Sequence, residues 1–422
     1  MIDYPQALTQ LLAAATLLDE RTCATGDGLG QLLATSIRAS ESLPPFDAAA
    51  MDGYALPAGD FDAGSEWPVE AAQYAGHGRR PASAGAAWEI TTGARMPDGL
   101  VSVVPVEQVQ TLAASDHGAG SGSARICLLQ PVVQGQHMRS AGSDIRAGQL
   151  LLQSGTRLGP EQLMVLHAMG IGQLRVRAAP RCAVICTGGE LVSSPCQALD
   201  SGQIRDSNRG YLQASLRAAG AECVHASTVA DDPRQWRQHL DTALAAGAQL
   251  VISTGAVSMG ALDFIPAALR EAGAGILFHK VAIRPGKPLL LARLADGTLY
   301  LGLSGNPAAC AVGMRFFVLP LLRAMQGQSQ EQPWLLPLAH DVDLREGPCH
   351  FLSARIEANA DAGLAVRLLA EQASSRLLPL VQANAWVMLA AGGRLRAGQP
   401  VPVFGHGMAG EQGMQALPAC AD

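Results

Sequence analysis

The sequence predicts a multidomain chain: an α/β domain with a parallel sheet, an inserted β-rich domain, and a small C-terminal β-barrel or sandwich. Three observations lead there. The chain has 422 residues, 48% hydrophobic and 16% charged, an ordinary globular composition spread over more length than one core serves, so two to four domains are expected. Between residues 181 and 324, apolar runs of strand length alternate with segments of helical period, as parallel strands joined by crossover helices do. Residues 43–138 and the chain after Gln332 lose the helical period and carry short β-type runs among Gly, Pro and Ser.

The elements follow in order. Pro5–Leu18 (PQALTQLLAAATLL) has an apolar stripe at helical spacing and a proline in its first turn. Gly30–Ile37 (GQLLATSI) reads as a short helical or extended piece. From Leu43 to about Met138, the runs EITTG, LVSVVPVEQV and RICLLQPVV are strands, and Ala113–Ala124 (AASDHGAGSGSA) is a flexible turn. Arg157–Leu174 is a helix opened by Gly159-Pro160 and closed by Gly170. The chain thus leaves one helical element, builds a β domain and returns to helix, the pattern of an insertion. The domains expected are 1–42 with 139–178 (elongated, N-terminal), 43–138 (inserted, β-rich), 179–328 (α/β) and 329–422 (C-terminal, β).

Within the α/β stretch, CAVICTGGE is a strand running into glycines. DSNRGYLQASLRAAGAE is a helix with Asp206 or Ser207 as cap, and CVHASTVA a strand. DDPRQWRQHLDTALAAGA is a helix with an Asp cap and Pro233 first. LVISTGAVSMG is a strand into a glycine loop, DFIPAALREAGA a helix, and LYLGLSGNPAACAVGMRFFVLPLL a strand, a tight turn and a long buried helix. Alternation of this kind implies a sheet covered on both faces.

Composition excludes several function classes. A net charge of −6 and 4% aromatic residues argue against a nucleic-acid partner. The nine cysteines are odd in number and form no CxxC pair; Cys182 and Cys186 fall on one face of a buried strand, which favours a reduced, cytoplasmic chain over a metal or disulfide framework. MIDYPQALTQ lacks the basic region of a signal peptide, and no uncharged apolar run reaches the ~20 residues of a membrane span.

The chemistry gathers at three places where a strand enters a short glycine-bearing loop and then a helix: Thr187–Leu191 (TGGEL), Ser253–Asp263 (STGAVSMGALD) and Leu303–Pro307 (LSGNP). In a parallel sheet all three lie at the carboxyl edge, where ligands bind. Glycine lets the backbone approach a ligand, and helix starts offer unpaired N–H groups to an oxyanion. The only two lysines of the chain, Lys280 and Lys287, flank Arg284 in Phe278–Pro288 (FHKVAIRPGKP). Lys is a compact point charge where Arg is a planar fork, so the pair marks a second requirement for anion binding. Glu190, Asp206, Asp231, Asp232 and Asp263 sit in or beside these loops; next to an anion, carboxylates hold Mg²⁺. Asp206, Asp231, Asp232 and Asp263 read equally as helix caps, whereas Glu190 follows two glycines.

These residues resemble the molybdopterin molybdotransferases, the MoeA and gephyrin E-domain family, over nearly the whole chain. LPPFDAAAMDGYAL, ITTGARMPDGLVSVVPVEQV, HMRSAGSDIRAGQLLL, TGGELV, GQIRDSNRGYL, DDPRQWRQHL, ISTGAVSMGALDF, KVAIRPGKPLLLARL and LSGNPAACAV stand in family order. The resemblance implies a MogA-like α/β domain, the inserted β-rich domain and a C-terminal β-barrel. It implies insertion of molybdate into adenylyl-molybdopterin with Mg²⁺ and release of AMP, in molybdenum cofactor biosynthesis. It also implies a homodimer whose cleft lies between the α/β domain of one subunit and N-terminal segments of the other, with a pterin adenylyltransferase and molybdoenzyme maturation factors as possible partners. The alternative reading is a non-catalytic protein that binds and delivers the pterin or finished cofactor.

By motif match, the resemblance assigns catalytic roles to Asp52, Glu190, Asp263, Lys280 and Arg284. It assigns binding to Thr92, Asp144, Gly188, Ser258, Lys287, Ser304, Gly305, Asn306 and Ser374, and the metal to Glu190, Asp231 and Asp263. The chain departs from the pattern at Ala48 and Ala49 (often Asn and Ser), Ala256 (glycine), Arg284 (usually lysine), Ser304 (proline), and Pro348 and Ser353, where many relatives carry arginine.

Overall fold

The computed structural model describes residues 1–83, 85–112, 124–257, 264–344, 346–358, 363–390 and 393–406. They divide into two compact units. The first is Met1–Thr35, Ser154–Pro160 and Gln173–Asp422; the second is Ser36–Gln153 with Glu161–Gly172.

The first unit is organised by a six-stranded sheet. Its strands are β1 (Arg181–Thr187), β2 (Glu222–Val229), β3 (Leu250–Thr254), β4 (Gly275–His279), β5 (Leu290–Arg293) and β6 (Leu299–Leu303), in the order β2-β1-β3-β6-β5-β4. The period-2 pattern divides each strand between two cores. Cys182, Val184, Cys186, Leu250, Ile252, Leu299, Leu301 and Leu303 pack with Leu212, Leu216 and the long helix from Pro307. Ala183, Ile185, Val251, Leu290, Ala292 and Tyr300 face Trp236, Leu240 and Ile265. Cys182 and Cys186 do share a face, and burial pushes the Cys186 thiol up to about 12. Tyr300 completes the second core by accepting from Trp236 Nε1–H at 3.0 Å.

The sheet is mixed rather than wholly parallel. β1, β2, β3 and β6 run parallel, but β5 is antiparallel to both β6 and β4. Residues 280–289 contain no helix that could carry the chain across the sheet, so it returns beside β4 as a hairpin arm. Both ends of this lysine-bearing connection therefore lie at the carboxyl edge.

Helix starts follow local chemistry. Asp206 caps Ser207–Ala218 by accepting from Arg209 N–H at 3.0 Å, and Asp232 caps Pro233–Ala245 by accepting from Arg234 N–H at 2.8 Å. The N-terminal helix spans Tyr4–Ala14, opened by a capping box between Asp3 and Gln6. It stops short of the predicted Leu18, because Leu18 N–H is taken by Met325 C=O at 2.8 Å and its side chain enters the sheet core.

The helix from Pro307 to Met325 widens into a π turn at Met314–Val318. Pro320 has no N–H for the Phe316 carbonyl, which accepts instead from the Tyr4 hydroxyl at 3.5 Å. The turn seats Arg315, which donates to both Glu331 carboxylate oxygens at 2.8 and 2.7 Å and to Gly405 C=O at 2.8 Å. The helix is apolar and long enough to cross a membrane, but 72% of it is buried inside the unit.

The C-terminal strands Ile283–Arg284, Cys349–Ala358, Ala385–Leu389, Pro400–Phe404 and Trp334–Pro337 form one sheet, with Leu364–Leu368 added on Cys349–Ala358. A bridge from Leu338 to Val366 closes the ring around Ala354, Val387, Val401 and Val403.

The second unit is built on a sheet in the order Leu100–Pro105, Gly53–Pro57, Ala87–Ile90, Glu66–Gln73, Arg125–Leu128, Val109–Leu112. Gly53 lies so close to the next strand that a Cβ would stand 1.9 Å from Val104 O, so only glycine fits after Asp52. The helix expected over Arg157–Leu174 is confined to Pro160–Ala168; Gly170 ends it at φ +67°, and Leu174 lies in the strand Gln173–Arg177.

Candidate functional site

The carboxyl edge of the first unit's sheet collects the three glycine loops and the lysine connection. At the end of β1, the Thr187 hydroxyl donates to Thr254 O at 3.1 Å, tying β1 to β3. Gly188 N–H donates to Val229 O at 3.0 Å, and Gly189 N–H reaches Asp231 Oδ2 at 3.3 Å. A Cβ on Gly188 would stand 2.8 Å from Glu190 Oε2, so the Glu190 carboxylate folds back over the same turn. At the end of β3, Gly255 has φ +87°, and a Cβ there would meet Thr187 O at 2.4 Å. A third loop follows β6: Gly305 approaches Gly255 so closely that a Cβ would lie 3.6 Å from Gly255 Cα.

Side chains hold these loops in place. Asn208 Nδ2 donates to Gly305 O at 2.7 Å, and the Ser304 hydroxyl accepts from Asn306 N–H at 3.4 Å. His279, the last residue of β4, bonds through Nε2 to Val257 O at 2.7 Å. Lys280 N–H donates to Leu289 O at 2.8 Å and Val281 N–H to Lys287 O at 3.1 Å, so backbone pairing brings the lysine positions together. Ile2 pairs with Val281 on the outer side, donating to Lys280 O at 3.3 Å. Arg284 is exposed and pairs with His350 of the C-terminal sheet, while Ser374 C=O accepts from Ala308 N–H at 3.0 Å at the start of the Pro307 helix.

Glu190, Gly188, Asp231, Lys280, Arg284, Lys287, Ser304, Gly305, Asn306 and Ser374 therefore all belong to the first unit. Asp263 and Ser258 lie outside the described residues. Asp206 acts as a helix cap and accepts from the Thr228 hydroxyl at 2.7 Å, so both its oxygens are in use. Asp232 is a cap as well.

These residues form a row rather than a point. β1 and β4 are four places apart in the sheet order, which at about 4.8 Å per strand puts the Glu190 turn about 19 Å from Lys280. One small oxyanion cannot touch both ends, whereas an elongated guest with several anionic groups spans them.

Asp52, Thr92 and Asp144 belong to the second unit. Asp52 Oδ1 accepts from Thr92 N–H at 2.6 Å and from the Thr92 hydroxyl at 2.9 Å. These bonds, the backbone one foremost, hold the exposed Asp52 carboxyl below the usual aspartate range. Thr92, Gly93, Asp144, Arg139, Pro44 and Phe46 line an open cleft of about 600 Å³. Arg139 was not singled out from the sequence, nor were Asn208 and His279; the last two act through carbonyls distant in sequence, and a neighbouring Gly loop or lysine was the only local signal.

Comparisons with known proteins match the chain in three successive segments. Residues 2–170 match the model of the MoeA N-terminal region (domain I and II), residues 183–324 that of a probable molybdopterin binding domain, and residues 336–404 that of the MoeA C-terminal region (domain IV). A molybdopterin molybdenumtransferase of Synechococcus elongatus is 37% identical over 418 residues, covering 96% of this chain and 99% of the relative. One from Bacillus subtilis is 32% identical over 404 residues, covering 90% and 88%. The crystal structure of the molybdopterin biosynthesis MoeA protein from Pyrococcus horikoshii OT3 aligns at a TM-score of 0.79 with 27% identity, over 96% of this chain and 99% of that one.

Proposed function

The chain belongs to the MoeA family of molybdopterin molybdenumtransferases, and from that premise we propose that it inserts molybdate into adenylyl-molybdopterin and releases AMP. The observation that carries the reading is the row along the carboxyl edge. The substrate is long, with a dithiolene-bearing pterin, a central diphosphate and an adenosine, and the edge offers glycine turns at one end, a helix start in the middle and Lys280, Arg284 and Lys287 at the other. The Gly305 backbone at the start of the Pro307 helix suits a phosphate, because a helix start presents its positive dipole end. The lysines and Arg284 offset the charge of an incoming molybdate, an attraction that salt weakens at exposed positions.

Magnesium belongs to the same proposal. Two carboxylates, Glu190 and Asp231, meet the Gly188–Gly189 turn, and Mg²⁺ is commonly held by one or two carboxylates with water and substrate phosphate completing its shell. The donor set therefore fits, with Asp263 as the third expected ligand. When bound, the ion would neutralise phosphate charge near the bond that releases AMP. Glu190 and Asp231 would hold it, and the glycine turns would orient the phosphates. We further propose a homodimer, in which N-terminal segments of one subunit complete the cleft of the other. A nucleotidyl transfer must supply the adenylylated pterin.

The test is direct. Purified protein with adenylyl-molybdopterin, molybdate and Mg²⁺ should release AMP, and chelation should stop it. Tight pterin binding with no AMP release at saturating Mg²⁺ and molybdate would reject the enzymatic reading in favour of a delivery protein.

A further inference from the structure

The segment Leu369–Leu377 carries Ser374 and contains no helix or strand. Besides the backbone bond from Leu369 N–H to Ser353 O at 3.1 Å, one side chain ties it to the strand of Ser353. Gln372 Oε1 accepts from Ser353 N–H at 2.6 Å, while Nε2 donates to Ser353 O at 3.1 Å and to Leu369 O at 2.7 Å. The amide thus uses its acceptor and both donors. Ser353 is 4% exposed and sits in strand Cys349–Ala358, the strand that also pairs with Ile283–Arg284 of the lysine connection.

Two residues beyond Gln372, the Ser374 carbonyl takes Ala308 N–H, one of the donors a helix start leaves unpaired. Pro285, Ala308, Ser353, Gln372 and Arg376 line one cavity of about 10 Å³, the size of a single water. Lysine connection, helix start, strand and Ser374 segment therefore meet around this amide. Glu371, beside it, has φ +52°, a region a non-glycine residue keeps only when its surroundings hold it there.

We propose that Gln372 is a positioning residue for the transfer reaction: by clamping its segment to the Ser353 peptide, it fixes Ser374 against the Ser304–Asn306 loop. The inference rests on the molybdenum-transfer reading and extends it to a residue that does not itself meet the substrate.

Steady-state kinetics with adenylyl-molybdopterin and molybdate test it. Gln372→Ala should lower kcat about 10- to 100-fold, the scale of a displacement near 1 Å, and leave KM within about threefold of wild type, since the binding residues outside this segment supply most of the ground-state affinity. Gln372→Glu keeps the length and the acceptor but faces two carbonyls with a carboxylate. It should lose as much at neutral pH and recover in part as pH falls toward about 5, where the carboxyl begins to protonate and regains a donor. The double variant Gln372→Ala with Ser374→Ala should be no slower than Ser374→Ala alone. Losses that multiply, or an effect on KM alone, would overturn the proposal. If the wild-type protein releases no AMP, the transfer reading fails by itself, and hydrogen exchange then judges the clamp. The Ala308 amide should exchange at least about tenfold faster in Gln372→Ala at unchanged global stability; unchanged exchange refutes it.

Discussion

Gly305→Ala separates a ligand-binding loop from a merely structural one. The added Cβ would lie 3.6 Å from Gly255 Cα and 3.8 Å from Gly255 N, ordinary van der Waals contact, and φ is outside the left-handed region. Nothing in the fold opposes the methyl. Gly→Ala at such a compatible position stabilises by about 0.4–1 kcal/mol through the unfolded chain, so the melting temperature should hold or rise by about 1–4 °C. The cost falls on the ligand. If a phosphate rests on the backbone at Gly305, an exposed methyl holds it away, and losing one charge-assisted hydrogen bond removes about 1.5–3 kcal/mol, roughly a 10- to 150-fold rise in Kd. Calorimetric titration of AMP, with a thermal melt on the same preparation, reads both quantities. Wild-type affinity in a variant that melts normally would remove LSGNP from the binding surface. Gly255→Ala is the control with the opposite signature. Its Cβ would stand 2.4 Å from Thr187 O at φ +87°, so overpacking of about 1–3 kcal/mol should appear in the melt itself.

Four further outcomes are expected. Asp206→Ala removes a helix cap and the acceptor of Thr228 and should cost about 1–2 kcal/mol in chemical unfolding, whereas exposed Glu190→Ala should leave the unfolding curve unchanged and abolish Mg²⁺-dependent AMP release. Thr92→Val removes the hydroxyl donor and keeps the backbone one, so it should raise the Asp52 pKa part of the way toward the ordinary aspartate value, read by NMR titration of its carboxyl carbon. Folding lowers that pKa, so the Asp52–Thr92 contribution is present above the unfolded-state value and fades as pH falls through the lowered one; an unmoved titration refutes the assignment. Lys280→Ala and Asp263→Ala should each cut turnover strongly with no change in circular dichroism, and wild-type rates in either would cancel that residue's role. Glu331→Ala leaves Arg315, whose side chain is 5% exposed, without its carboxylate and should destabilise by about 3–5 kcal/mol in urea; a loss under about 1 kcal/mol would mean Gly405 C=O alone suffices.

Much of this was legible from the chain. Glycine after a strand and a capping residue before a helix are local signals, so TGGEL, LSGNP and the Asp232-Pro233 helix start could be read directly, and the alternation of Cys182 and Cys186 with Ala183 and Ile185 identified a strand buried on both faces. Three features were not legible, each for a long-range reason. The reversal of β5 follows from a missing crossover, so the periodicity of residues 290–293 does not reveal it. The end of the first helix at Ala14 depends on the Met325 carbonyl. Asp206 and Asp231 have the same surroundings in sequence, and only the Thr228 hydroxyl and the Gly189 amide distinguish a cap from an acid beside a glycine turn. The arrangement of the cations along an edge likewise needs the strand order, which no motif contains.

The hairpin that returns β5 beside β4 makes the separation of the two lysines a matter of register. His279 faces Leu290, so the residues between them act as a ruler whose length is set by two paired strand ends. Deleting a single residue there would have to be absorbed by turns held at Lys280, φ +70°, and Gly286, φ +106°, and would shift one lysine against the other. Apart from its two lysines and Arg284, the segment should therefore tolerate swaps of side chain far better than changes of length, and a library that varies loop size between positions 281 and 288 should return functional clones mostly at the native count.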